Sequence, residues 1–290
     1  MSLRQLNLSA AILHYCLAIS FSVYFSHINK KYGNDPVRGV ELSMRDHTVK
    51  ITDTPDGDKA VWESKETMKV DLKVIQGLLI SFFFITGTFH LFYYIGNKET
   101  SNPSQPNINN FYSNAIANQN NYFRWIEYSI TATMMLYVIA YTSGVKDTNV
   151  YLMLFATNIT MISLGQSIEV AVRDGKSWWI PMITSFLLLI AEFTVIMRSF
   201  WSRLKEVNDY LKTKPLDEND KIPSWLNVMI VILFVFFSCF GFVSLIGAYK
   251  HVSYEKIEKI YLILSFVSKA SLASFIAYGT GQRQSIKPKK

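Results

Sequence analysis

Charged residues are all but absent from seven long stretches of the chain and crowded between them. The stretches run 5–29, 74–97, 128–145, 148–168, 177–197, 222–249 and 260–282, and of the 51 Asp, Glu, Lys and Arg residues only Glu192 and Lys269 fall inside them. Each stretch reaches the roughly 17 residues or more that an α-helix needs to cross about 30 Å of hydrocarbon. The pattern predicts an all-α membrane protein, a seven-transmembrane-helix bundle forming one domain over 1–290. Its helices are expected at about 5–29, 74–97, 122–145, 148–172, 177–203, 222–249 and 256–282.

The connections carry less order. The first, 30–73, holds nine basic and nine acidic residues, and within it Val49 and Ile51 alternate with polar neighbours before Asp56-Gly57 and Val61-Trp62. That reads as a β-hairpin, the alternative being a solvated loop. The second, 97–121, contains NKETSNPSQPNINN, whose Asn, Ser and Pro favour turns. After the fifth run, RSFWSRLKEVNDYLKTK continues as an amphipathic helical extension beyond the bilayer. No internal repeat is evident, which weighs against an inverted-repeat transporter.

Composition agrees: hydrophobic residues make up 50% and charged residues 18%, with net charge +7, against about a quarter charged in soluble domains. The basic residues sit in loops and at helix ends rather than in one stripe with interleaved aromatics, so a nucleic-acid partner is not expected. The first run has only Arg4 before it and no small-residue cleavage site after it, so it reads as a helix rather than a secretory signal. Cys16 and Cys239 both lie in apolar runs and are expected as buried thiols. No CxxC or HExxH spacing suggests a metal, and no enzymatic activity is expected.

An ionisable group at membrane depth costs at least about 2.5–3.5 kcal/mol and is a functional candidate by default. Lys269 lies at the centre of IYLILSFVSKASLASFIAY, too deep for easy snorkelling. It either pairs with an acid to hold helices together or serves as a desolvated amine able to condense with a carbonyl compound. The resulting buried cation needs a counterion. Glu127, with Thr131 one turn on, is the natural partner, unless Arg124 pairs with it locally. Glu169 beside Arg173 reads as an interfacial acid. Glu192 either snorkels toward Arg198 or serves as a proton-relay carboxyl, and His14 and His90 stand in apolar surroundings as core residues or relay groups. Trp178, Trp179, Trp201 and Trp225 suit the interface, while Phe234 and Phe237 become pocket candidates only in combination with Lys269.

The motifs FRWIEYSITATMM, TNITMISLGQSIE, FVFFSCF and YLILSFVSKASLASFIAYGT resemble the heliorhodopsin family of retinal-binding rhodopsins, and the likeness extends over all seven runs. The resemblance implies that Lys269 carries all-trans retinal as a protonated Schiff base with Glu127 as counterion, and that Ser265 helps position or polarise that centre. It also implies that Tyr128, Thr131, Asn158, Met161, Phe234 and Phe237 surround the chromophore, and that His14 and His90 belong to a buried cluster accommodating a proton during the photocycle. The hairpin would take part in a homodimer. Two positions depart from the family pattern. Glu192 replaces a residue that is usually apolar, and viral family members include light-activated proton conductors. Leu189 stands where a tryptophan is common. The implied function is a light receptor whose signalling partner is open, with a light-gated proton channel using Glu192 as the alternative and a retinal-independent receptor or scaffold as a third.

Orientation is contested. With the N-terminus outside, the cytoplasmic segments would carry 20 basic residues against 8, as the positive-inside rule prefers. The resemblance implies a cytoplasmic N-terminus and an extracellular C-terminus, and the first connection's basic residues are matched by acids.

Overall fold

The structure, a computed structural model, describes residues 1–32, 42–52, 59–97, 110–212, 225–249 and 252–282. Among the described residues eight helices and one hairpin follow in the order α1 (Leu3–Tyr32), β1 (Leu42–Thr52), β2 (Lys59–Val70), α2 (Leu72–Ile95), α3 (Phe111–Ala117), α4 (Tyr122–Thr142), α5 (Thr148–Arg173), α6 (Trp179–Lys212), α7 (Trp225–Ala248) and α8 (Tyr254–Gln282). Side chains start three of them. Asp71, Asn121 and Asp147 accept from the backbone N–H of Lys73, Arg124 and Asn149, satisfying donors that a helix leaves free at its first turn.

The long helices pack in a closed ring, α1 on α2, α2 on α4, then α4, α5, α6, α7 and α8 in succession, with α8 returning to α1. Leu79, Phe82, Leu136, Ile139, Ile196, Ile230, Leu233 and Leu272 meet at its centre with essentially no exposed surface. The outer face is equally apolar: Ile19, Val23, Phe84, Leu152, Leu187, Val235 and Ile263 are all exposed. A helix that is apolar both toward its neighbours and away from them belongs in lipid. Among the described residues six helices are long and apolar enough to cross a membrane, namely the spans Leu3–Lys31, Leu72–Ile95, Thr148–Arg173, Trp179–Glu206, Asn227–Ala248 and Tyr254–Thr280.

The seventh expected span, α4, is not among those six. Its polar residues explain why: Arg124, Glu127, Thr131 and Thr133 lower its hydropathy, and all are buried against other helices rather than turned to the outside. Two other expectations change. The Asn-rich connection contains the short helix α3, with 98–109 lying outside the described residues. Cys16 is exposed on the outer face of α1 and Cys239 is only partly buried, so neither is a core thiol.

β1 and β2 form an antiparallel hairpin in which Val49 faces Trp62 and Thr52 faces Lys59, with a bulge between Met44 and Arg45. The Asp56-Gly57 turn lies outside the described residues. The hairpin is seated on the α4–α5 turn: the Arg45 N–H donates to the Lys146 carbonyl at 2.9 Å, and Asn149 Nδ2 donates to Asp46 at 3.2 Å. α6 runs beyond its apolar stretch to Lys212.

Candidate functional site

Lys269 projects from the middle of α8 with Ser265 one turn before it on the same face, the i,i+4 spacing that brings helical side chains together. Its Nζ donates to Ser265 Oγ at 2.6 Å and reaches Glu127 Oε1 on α4 at 3.4 Å. Lys269 is 2% exposed and Glu127 1%. Such a pair persists in a low-dielectric interior only when further hydrogen bonds satisfy it. Thr86 on α2 donates to the same Glu127 oxygen at 2.7 Å, and Thr131 does so at 3.4 Å. The Tyr128 ring adds a cation–π contact, with Nζ 5.4 Å from its centroid.

Glu127 therefore pairs with Lys269, not with Arg124. Arg124 turns the other way and forms ion pairs with Glu169 on α5 and Glu258 on α8, lying between the rings of Trp125 and Tyr261 at 4.6 and 4.2 Å. Glu169, its side chain 12% exposed, is thus the partner of Arg124 at the outer edge of this cluster rather than a simple interfacial acid. It also accepts from Trp125 Nε1 at 2.8 Å and the Tyr254 hydroxyl at 3.1 Å.

A cavity extends from Lys269 between α4, α5, α6 and α7. Trp125, Tyr128, Met161, Phe186, Leu189, Phe237, Phe240 and Tyr261 form its apolar wall, with Thr131 and Ser268 near the amine. Two glycines give it room. A Cβ on Gly165 would stand 2.5 Å from the Trp125 ring, and one on Gly241 would stand 2.7 Å from the Phe186 ring, so only glycine lets these aromatics lie flat on the helices. A long apolar sleeve ending at a buried amine and a carboxylate fits a polyene aldehyde: the wall suits the chain, the amine the carbonyl carbon.

The remaining expected residues divide. Met161 and Phe237 line the cavity and Leu189 occupies the position expected for it. Phe234 instead packs on Phe193, 5.1 Å between centroids. Asn158 is fully buried beyond the wall, where its Nδ2 donates to Thr133 Oγ1 at 2.7 Å. His14 and His90 stand together at 5.4 Å between centroids, both buried. His14 Nδ1 bonds the Ala10 carbonyl and His90 Nδ1 bonds Asn7 Oδ1, each at 2.8 Å; since Asn7 Nδ2 donates to the Leu3 carbonyl, its oxygen is the acceptor and His90 Nδ1 carries the proton. Glu192 does not reach toward Arg198. It is 2% exposed, with Thr157 Oγ1 2.9 Å from its Oε1.

Sequence reasoning missed Thr86, Asn7, Asn121, Tyr112 and Glu258. A signal existed for two of them. Glu258 lies eleven residues, three helical turns, before Lys269 on the inward face of α8, and Thr86 lies one turn before His90 on that of α2.

The heliorhodopsin family model matches residues 3–280. No curated protein matches the chain.

Proposed function

The chain belongs to the heliorhodopsin family of retinal-binding, light-sensing rhodopsins in the membrane, and from that membership we propose a seven-span light receptor, not an enzyme, that carries all-trans retinal on Lys269. α4 is the seventh span, its polar residues sheltered by the other helices. The observation that carries the reading is the Lys269 amine, buried at the end of an aromatic sleeve, 2.6 Å from Ser265 and 3.4 Å from Glu127.

Bound retinal supplies visible-light absorption and a photoisomerisable double bond. The protein's groups do the rest. Glu127 balances the positive charge on the Lys269 nitrogen in a medium where an isolated charge is costly. Thr86 and Thr131 hold the acceptor oxygen in place. Tyr128, Met161 and Phe237 exclude water and fix the orientation of what lies between them. His14 and His90 accommodate the proton that the lysine nitrogen releases, each having one ring nitrogen bonded and the other available. The N-terminus is cytoplasmic and the C-terminus extracellular. A homodimer forms through the hairpin, where Val49 and Ile51 expose 50% and 70% of their surface on one side of β1.

Purified protein given all-trans retinal should gain a visible absorption band, and Lys269→Ala should gain none; a pigment in that variant refutes the assignment. A second reading is a light-gated proton conductance, favoured by Glu192, a deeply buried carboxyl whose Oε2 has no partner among the described residues. It predicts photocurrents under voltage clamp that collapse in Glu192→Gln while the pigment remains.

A further inference from the structure

The histidine pair adjoins the Arg124 cluster through α2 and α3. His90 Nδ1 donates to Asn7 Oδ1 at 2.8 Å, the His90 ring lies 5.7 Å from that of Tyr93, which packs on Tyr112, and the Tyr112 hydroxyl reaches Glu258 Oε2 at 3.5 Å. Glu258, 4% exposed, accepts from Asn121 Nδ2 at 2.9 Å and pairs with Arg124. Arg124 is shared with Glu169, which borders an open cleft with Gln119, Ser253 and Tyr254. Along this line every group is a hydrogen-bond donor or acceptor, and it ends near solvent.

The charges give the line a direction. Among the described residues one guanidinium faces two carboxylates, leaving one negative charge uncompensated in a buried site, where that is costly. One added proton makes the cluster neutral. The groups facing Glu258 are Arg124, Asn121 and Tyr112, with Glu169 and Tyr254 across the guanidinium. Between the histidines and Tyr112, His90 Nε2 and the Tyr93 hydroxyl are buried polar atoms without a protein partner among the described residues, the kind of position where internal water binds. Tyr93 stacks on Tyr112 at 4.6 Å between centroids.

We propose that Glu258 is the terminal acceptor of the proton that light drives away from the Lys269 nitrogen, received through Tyr112 from the histidine pair. In the step, the Tyr112 O–H bond breaks toward Glu258 Oε2 while the Tyr112 oxygen takes a proton from the His90 imidazolium through an internal water. His90 ends neutral, Tyr112 is regenerated and Glu258 becomes a carboxylic acid. Asn7 orients the imidazole. This inference rests on the photocycle proposed above.

The test uses the full chain with all-trans retinal, followed by time-resolved infrared difference spectroscopy and flash absorbance with a pH-indicating dye. A protonated-carboxyl band should rise in the unmutated protein, vanish in Glu258→Gln and in Tyr112→Phe, and persist in Glu258→Asp. The last photocycle intermediate should decay at least about tenfold more slowly in the first two, a positioned proton-transfer group being worth about 10²–10⁴-fold. Tyr112→Phe keeps the Arg124 ion pairs, so its effect is not one of folding. An unchanged band and decay in both variants, with the pigment and its photocycle intact, overturns the inference alone. An unmutated protein without pigment overturns it together with the photocycle.

Discussion

Replacing Glu127 by Gln in the retinal-free protein removes a carboxylate that lies 3.4 Å from Lys269 Nζ, in a pair whose side chains are 2% and 3% exposed. At an effective dielectric constant of about 20, Coulomb's law assigns that separation about 5 kcal/mol. Breaking a buried pair by deleting one partner costs about 3–5 kcal/mol, because the other charge is left uncompensated. Glu127→Gln and Lys269→Met should therefore each destabilise the protein by that much, while the double variant, with neither charge, should lose far less than the sum. The hydroxyls of Thr86 and Thr131 donate to Glu127 Oε1 and can still donate to a glutamine oxygen, so the loss reports the charge rather than the hydrogen bonds. Unfolding of the four proteins in the same micelles gives the coupling energy, expected at about 3 kcal/mol or more; additivity within about 0.5 kcal/mol would mean that the two groups do not interact and would refute the pairing.

Gly165→Ala forces the Trp125 ring away from α5 and strains its bond to Glu169. Overpacking of about 1–3 kcal/mol and a weakened charged hydrogen bond of about 1.5–3 kcal/mol outweigh the roughly 1 kcal/mol that alanine gains in a helix, so the melting temperature should fall, and a rise counts against the fit. Thr86→Val keeps the shape but removes the donor 2.7 Å from Glu127, leaving the longer bond from Thr131; the less satisfied carboxylate acts more strongly on the lysine nitrogen, and the absorption band should move to shorter wavelength, an unmoved band excluding Thr86 from the counterion. Beyond the end of α5, the hydrogen bond from Arg173 Nε at 2.8 Å holds the Asp174 carboxyl below the usual carboxylate range. Because the folded value is the lower one, its stabilising effect is present above the unfolded carboxylate range and fades as pH falls through the lowered value. Arg173→Gln should raise the Asp174 midpoint in an NMR titration, and an unshifted midpoint would contradict that cause.

The spacing of charge determined most of the secondary structure, since hydrocarbon leaves a helix few alternatives and penalises each stray charge. For the same reason Lys269 and Glu192 stood out without any coordinates. Partner choice was another matter. Arg124 is three residues from Glu127, and a helix permits that pair, yet Arg124 meets Glu169 and Glu258 from 45 and 134 positions away while Glu127 meets Lys269. α4 shows the same limit from the other side: its hydropathy is too low to mark a span, and only its place in the ring shows that its polar side chains are shielded. Likewise Phe234 and Phe237 share one face of α7, but only Phe237 reaches the cavity. Local sequence sets which residues share a helix face, because that follows from 3.6 residues per turn. Which face meets which neighbour depends on side chains far apart in the chain, and so the counterion pair, the Arg124 cluster and the bridge between them were decided by the tertiary structure.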